Sequence, residues 1–224
     1  MFKTRLLSGI VLVIILIATV GTGGGLLFGF LALISLIGLS ELYKVVDVQN
    51  KILGLTGYLG AVVYYVILYT GQMQYVTFLT IAFLVVLMAV YVFSFPTFKA
   101  EQVMTVFFGV FYVAVMLSYV YQTRMLEDGA VAVWLIFLSS WGCDTCAYCA
   151  GMLLGKHKMA PKLSPKKSVE GGIGGIVGAA LLGAIFAVAA NKITGAGVNP
   201  AQYAVICGVG GMISQIGDLA ASAI

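Results

Sequence analysis

The chain has 224 residues, 62% of them hydrophobic and 9% charged, with 12 basic and 8 acidic side chains and a net charge of +4. A soluble domain carries about 25% charged residues, and the mean hydropathy here is +1.10, so a water-soluble globule is excluded. The alternating strand pattern of a membrane barrel is absent, as is the basic and aromatic soluble module that would bind nucleic acid.

Eight apolar segments follow one another, each near the length a helix needs to cross the hydrocarbon. They span about 6–22, 24–40, 52–70, 74–94, 103–121, 129–150, 171–190 and 201–222. The first follows a basic start, Met1 to Arg5, and runs through "GTGGG" into the second, which separates it from a cleavable signal peptide. The expected fold is all-α: a polytopic membrane helical bundle of about eight transmembrane helices. One transmembrane domain covers 1–224, with N-terminal helices over 1–125 and the helices of a candidate site over 126–224.

Loop charge predicts the orientation. With the N-terminus in the cytoplasm, Lys3, Arg5, Lys44, Lys51, Lys99 and the five lysines between Lys156 and Lys167 lie inside. Only Arg124 and Lys192 lie outside. The lysine-rich loop 151–170 is therefore expected at the cytoplasmic face, where a positive-inside signal and contact with anionic lipid account for part of its charge. The stretch "SPKKSVEGGIGG" goes further. Ser168 is a candidate N-cap and Glu170 suits a first helical turn. The lysines then stand beside a helix N-terminus, which favours an anion. Gly171, Gly172, Gly174 and Gly175 allow either a ligand or another helix to come close.

Two carboxylates fall inside apolar segments, Asp144 in "SSWGCDTCAYCAG" and Asp218 in "GGMISQIGDLAAS". Ionisable residues in a span are costly and mark sites or structural ion pairs. Both are expected near cytoplasmic helix ends, where two carboxylates plus substrate phosphates suit Mg²⁺. Phosphoryl or nucleotidyl transfer needs little beyond such positioning and charge. At membrane depth, one substrate would be a lipid. Cys143, Cys146 and Cys149 form one stripe on a helix. Without a fourth ligand they read as small hydrophobes rather than as a zinc or iron–sulfur site.

The stretch "CDTCAYCAGMLLGKHKMAPKLSPKKSVEGGIGG", followed by "SQIGDLAAS", closely resembles the phosphatidate cytidylyltransferase (CDP-diacylglycerol synthase) family, and "KTRLLSGIVL" and "LIGLSELYKV" resemble its N-terminal part. The resemblance implies condensation of CTP with phosphatidic acid to CDP-diacylglycerol and pyrophosphate, with Mg²⁺. It implies catalytic roles for Asp144, Lys166, Lys167, Glu170 and Asp218, with Asp144 and Asp218 as metal ligands. Lys156, Lys162, Ser164, Ser214 and Gln215 are the implied substrate-binding residues. The implied partners are CTP, phosphatidic acid and the bilayer of a bacterial cell membrane, with the active face cytoplasmic. A homodimer is compatible with this reading. Two departures stand out. Cys146 replaces a family glycine, and the family's terminal signature of P-G-H-G-G and D-R-x-D does not follow Ser222. The expectation is an incomplete form that does not make CDP-diacylglycerol by itself. A CTP-dependent polyprenol or phytol kinase and a non-enzymatic transporter or anionic-lipid-binding protein are the competing expectations.

Overall fold

The computed structural model describes residues 2–223, without the side chains of residues 1–8 and 10. Lys3 and Arg5, which enter the topology count, therefore lie outside the described side chains. Eight helices follow in order: α1 Phe2–Thr22, α2 Gly24–Val45, α3 Ile52–Tyr69, α4 Met73–Phe93, α5 Ala100–Arg124, α6 Gly129–Leu154, α7 Val169–Thr194 and α8 Pro200–Ala221. Seven of them, α2 to α8, are long and apolar enough to cross a membrane. In α1 the apolar stretch among the described residues is Val11–Thr22. The protein is an all-α polytopic membrane protein.

One element departs from the expected loop. Between α6 and α7 the chain forms an antiparallel hairpin, β1 Lys158–Ala160 and β2 Ser164–Ser168, with Lys158 opposite Ser168 and Ala160 opposite Ser164. Its sequence hides the strands, because lysine and proline are poor strand formers. A two-stranded ribbon has only edge strands, where proline is tolerated and lysine blocks further pairing. Pro165 and the exposed Lys158, Lys162 and Lys166 fit that position.

The chain divides into two compact units, Met1–Met125 and Leu126–Ile224. In the first, Leu39, Tyr43, Leu53, Leu87 and Val106 are fully buried. Polar groups away from water need partners inside the protein. Tyr43 donates to the carbonyl of Val106 at 3.1 Å, Tyr65 bonds Ser35 at 2.7 Å, and Tyr64 bonds Ser118 at 2.8 Å. Arg124, at the end of α5, donates through Nε to the carbonyl of Val20 and through Nη2 to that of Gly21. A cation on the last carbonyls of α1 is the favourable end for the helix dipole.

The second unit holds α6, the hairpin, α7 and α8. Ser168 caps α7 by accepting the N–H of Gly171 at 3.1 Å, and Gly195 ends it with a left-handed φ of 68°. Asn199 caps α8, with Pro200 in its first turn. One face of α7 is a glycine stripe, and α6 and α8 press against it. A Cβ on Gly171 would stand 2.9 Å from the carbonyl oxygen of Ala147. One on Gly175 would stand 2.9 Å from that of Cys143, and one on Gly183 would stand 2.6 Å from that of Tyr203. Small residues let helices meet at backbone distance where lipid provides no hydrophobic drive. Cys143 is fully buried in this contact, facing Gly175 and Gly211. It packs as a small hydrophobe.

Candidate functional site

A cleft of about 380 Å³ opens within the second unit between α6, the hairpin, the start of α7 and the end of α8. Asp144, Lys166, Lys167, Ser168, Gln215 and Asp218 form its polar lining. Ala147, Tyr148, Met152 and Met159 are its apolar lining, together with Gly151, Gly171 and Gly172. Five of the ten residues implied by the sequence, Asp144, Lys166, Lys167, Gln215 and Asp218, thus face one space. They come from three elements separated by up to 74 positions (144 to 218).

Each is held by local chemistry. A π-helical turn, Leu138–Gly142, interrupts α6 two residues before Asp144. Such turns rotate the side chains beyond them and are frequent at functional sites. α6 continues to Leu154, past the expected end at 150, so Asp144 lies ten residues (144 to 154) inside the helix, about 15 Å of rise. The expected position near a helix end is therefore corrected for Asp144, while Asp218 does sit in the last turn of α8. The helix runs through Gly151, whose cost of about 1 kcal/mol does not stop it, and Met152, Leu153 and Leu154 carry it on to Gly155. Lys167 Nζ pairs with the Asp218 carboxylate, tying β2 to α8. Gln215 Nε2 donates to the carbonyl of Gly172 at 2.9 Å and approaches Cys143 Sγ at 3.2 Å, tying α8 to α7 and α6.

The other five implied residues stand elsewhere. Ser214 bonds Ser140 at 3.2 Å between α8 and α6, outside the cleft lining. Lys156 and Lys162 are exposed, and Ser164 begins β2 away from the lining. Glu170 turns back to the root of the hairpin. It accepts the backbone N–H of Lys156 at 3.1 Å and of His157 at 3.2 Å, and its Oε1 lies 2.6 Å from His157 Nδ1. Sequence reasoning missed Tyr148, Met152 and Met159. Tyr148 was within reach, because on a helix it lies one turn beyond Asp144 on the same face. Met159 reaches the cleft only because the hairpin folds back, with its side chain against Gly172.

The formal charges of the lining cancel, with Lys166 and Lys167 against Asp144 and Asp218. Among the described residues no three His, Cys, Asp or Glu side chains converge on one point. The donor set is thus two carboxylates facing an open cleft. That fits a hard cation such as Mg²⁺, which takes one or two carboxylates and completes its shell with water and substrate phosphates. A divalent cation would turn a neutral lining into one with two net positive charges.

Comparison with known proteins follows the same lines. The Cytidylyltransferase family profile matches residues 3–224. The phosphatidate cytidylyltransferase of Bacillus subtilis strain 168 is 29% identical over 234 residues, covering 99% of this chain and 83% of the relative. Those of Staphylococcus saprophyticus and Staphylococcus epidermidis are 30% and 32% identical over 182 and 180 residues. Each of these alignments covers 78% of this chain and 68% of the relative.

Proposed function

This chain belongs to the cytidylyltransferase family, and from that premise we propose that it transfers the cytidylyl group of CTP to phosphatidic acid. A phosphate oxygen of phosphatidic acid attacks the α-phosphorus of CTP. The new oxygen–phosphorus bond forms as the bond to the β-phosphate breaks, and pyrophosphate leaves with that electron pair. The observation that carries the reading is the cleft itself. It sets two lysines and two carboxylates beside Tyr148, Met152 and Met159, at the depth of apolar helices. A lining that combines charged and apolar side chains suits a lipid with a phosphate headgroup.

Both reactants are anionic, so their repulsion dominates the barrier. Lys166 and Lys167 neutralise phosphate charge from the hairpin, which sets both lysines at the cleft. Lys167 exchanges Asp218 for a phosphate oxygen as substrate enters. Asp144 and Asp218 are the residues that would hold Mg²⁺, which when bound screens the phosphates. Gln215 fixes the cleft lining through Gly172. Holding the two phosphates in line is worth several orders of magnitude by itself.

The test is purified protein, residues 1–224 extended with the family's terminal signature, with phosphatidic acid in mixed micelles, Mg²⁺ and CTP labelled at either the α- or the γ-phosphate. Label in the lipid product is expected from the α-position only, with one pyrophosphate released per lipid. Lipid labelled from the γ-position would make the protein a kinase, and no labelled lipid from either position would sink the reading.

The orientation belongs to the same proposal. The N-terminus and the hairpin face the cytoplasm of a bacterial cell, where CTP is available, in accord with ten basic residues against two. With Cys149 changed to Ser, a Lys162→Cys variant is expected to resist an impermeant thiol reagent in intact cells and to label once the membrane is opened. Ready labelling from outside would reverse the topology.

A further inference from the structure

Glu170 and His157 lie outside the cleft lining and bond each other at the root of the hairpin, and their contacts point to a mechanical task. α6 ends at Leu154 and β1 begins at Lys158, so the hairpin hangs from a three-residue link (155 to 157). The Glu170 carboxylate, in the first turn of α7, gathers that link: two backbone N–H groups and one imidazole nitrogen converge on it at 2.6–3.2 Å. The His157 carbonyl in turn accepts the N–H of Val169 at 2.9 Å. The root of the hairpin is thus fixed to α7 by four bonds. The hairpin's other tie is the pair between Lys167 and Asp218, across to α8.

These ties differ in their fate during reaction. The proposed function requires Lys167 to leave Asp218 for a phosphate, which releases the hairpin from α8 when it must stay in place. We propose that Glu170 and His157 form a clasp that holds the hairpin over the cleft while Lys167 changes partners. They act as positioning residues for Lys166 and Lys167 rather than as groups that touch substrate or metal. The inference rests on the cytidylyltransferase reading for its consequence, while the clasp is a matter of hairpin position alone. His157 takes part through Nδ1, which donates to Glu170 Oε1. A neutral amide placed at the same atom should therefore replace it. Asn offers its amide nitrogen where the ring carries Nδ1, whereas Gln reaches further and Ala offers nothing.

Two readouts separate a positional role from a chemical one. The first is a spin label on Lys162→Cys at the exposed turn of the hairpin, in a background with Cys146→Ala and Cys149→Ser. The second is steady-state kinetics with CTP and phosphatidic acid. Glu170→Ala is expected to mobilise the label, with a larger gain when CTP is present. It should raise KM for CTP on the order of tenfold, the scale of hydrogen bonds to a charged group. His157→Ala and His157→Gln should do the same to a smaller extent, and His157→Asn should stay close to the parent in both readouts. The histidine series keeps the test decisive if Glu170→Ala fails to fold. An unchanged label in Glu170→Ala and His157→Ala would overturn the clasp. So would a Glu170→Ala variant with normal mobility, normal KM and a reduced kcat, because Glu170 would then act on the chemistry. If the parent protein transfers no cytidylyl group while the label still responds as expected, the functional reading fails and the clasp stands.

Discussion

Asp144→Asn and Asp218→Asn are each expected to cut turnover about a hundredfold to a thousandfold, the loss typical of one preorganised charged group at a reacting phosphate. Lys167→Met should fall in the same range. The informative difference lies in the Mg²⁺ dependence. Asp218 is shared between Lys167 and, in our proposal, the metal. Removing the carboxylate should raise the Mg²⁺ concentration for half-maximal rate, whereas removing the lysine frees the carboxylate and should lower or preserve it. Lys162→Met is the control. Its side chain is exposed and outside the cleft lining, so its activity should stay within about twofold of the parent, as for an ordinary surface substitution. Titrating all four variants with Mg²⁺ at saturating CTP distinguishes these cases. Near-normal turnover in both aspartate variants would remove the two-carboxylate site from the argument.

Much of that site was legible before any coordinates. Carboxylates in apolar segments are so costly that Asp144 and Asp218 identify themselves, although 74 positions separate them. Lys166 and Lys167 follow from their place just before an N-cap. What could not be read is geometry set by chain reversal. The fold of Lys158–Ser168 depends on edge pairing that lysine and proline disguise. Whether a given lysine faces the cleft or solvent depends in turn on the hairpin's register. Lys162 and Ser164 were therefore expected to bind substrate, while Met159 looked like nothing. The contacts of Glu170 were hidden for a similar reason. A glutamate in a first helical turn can face a ligand or the preceding chain, and here the link at Lys156 and His157 provides the donors. The helices were easier, since the apolar segments expected from composition match α1 to α8 within a few residues. α2, α6 and α7 each run four or five residues past the expected end, and in α6 the extra turn places Asp144 deeper.

The glycines of α7 presented two readings in the sequence, ligand approach or helix packing, and Gly175 lies on the packing side. A Cβ there would sit 2.8 Å from Ala147 Cβ, 2.9 Å from the Cys143 carbonyl oxygen and 3.0 Å from Cys143 Sγ. The first neighbour is a side chain and could be trimmed, whereas the second is backbone and cannot yield without moving α6. Gly175→Ala is therefore expected to destabilise the second unit by about 1–3 kcal/mol, the usual cost of overpacking. This outweighs the gain of about 1 kcal/mol that alanine brings to a helix interior. Activity should fall too, because Asp144 adjoins Cys143 and rides on the same helix that is pushed away. Ala147→Gly should return part of the loss when combined with Gly175→Ala, giving a favourable coupling between neighbours that neither single variant shows. The remaining clash with the Cys143 carbonyl keeps the rescue partial. Gly29→Ala in α2 has open space around it, and should be neutral or stabilising. Thermal unfolding of these variants in detergent, read beside their turnover, decides the matter. If Gly175→Ala is as stable as the parent and as active, α6 and α7 do not meet at backbone distance, and the path from packing to the position of Asp144 is broken at its first step.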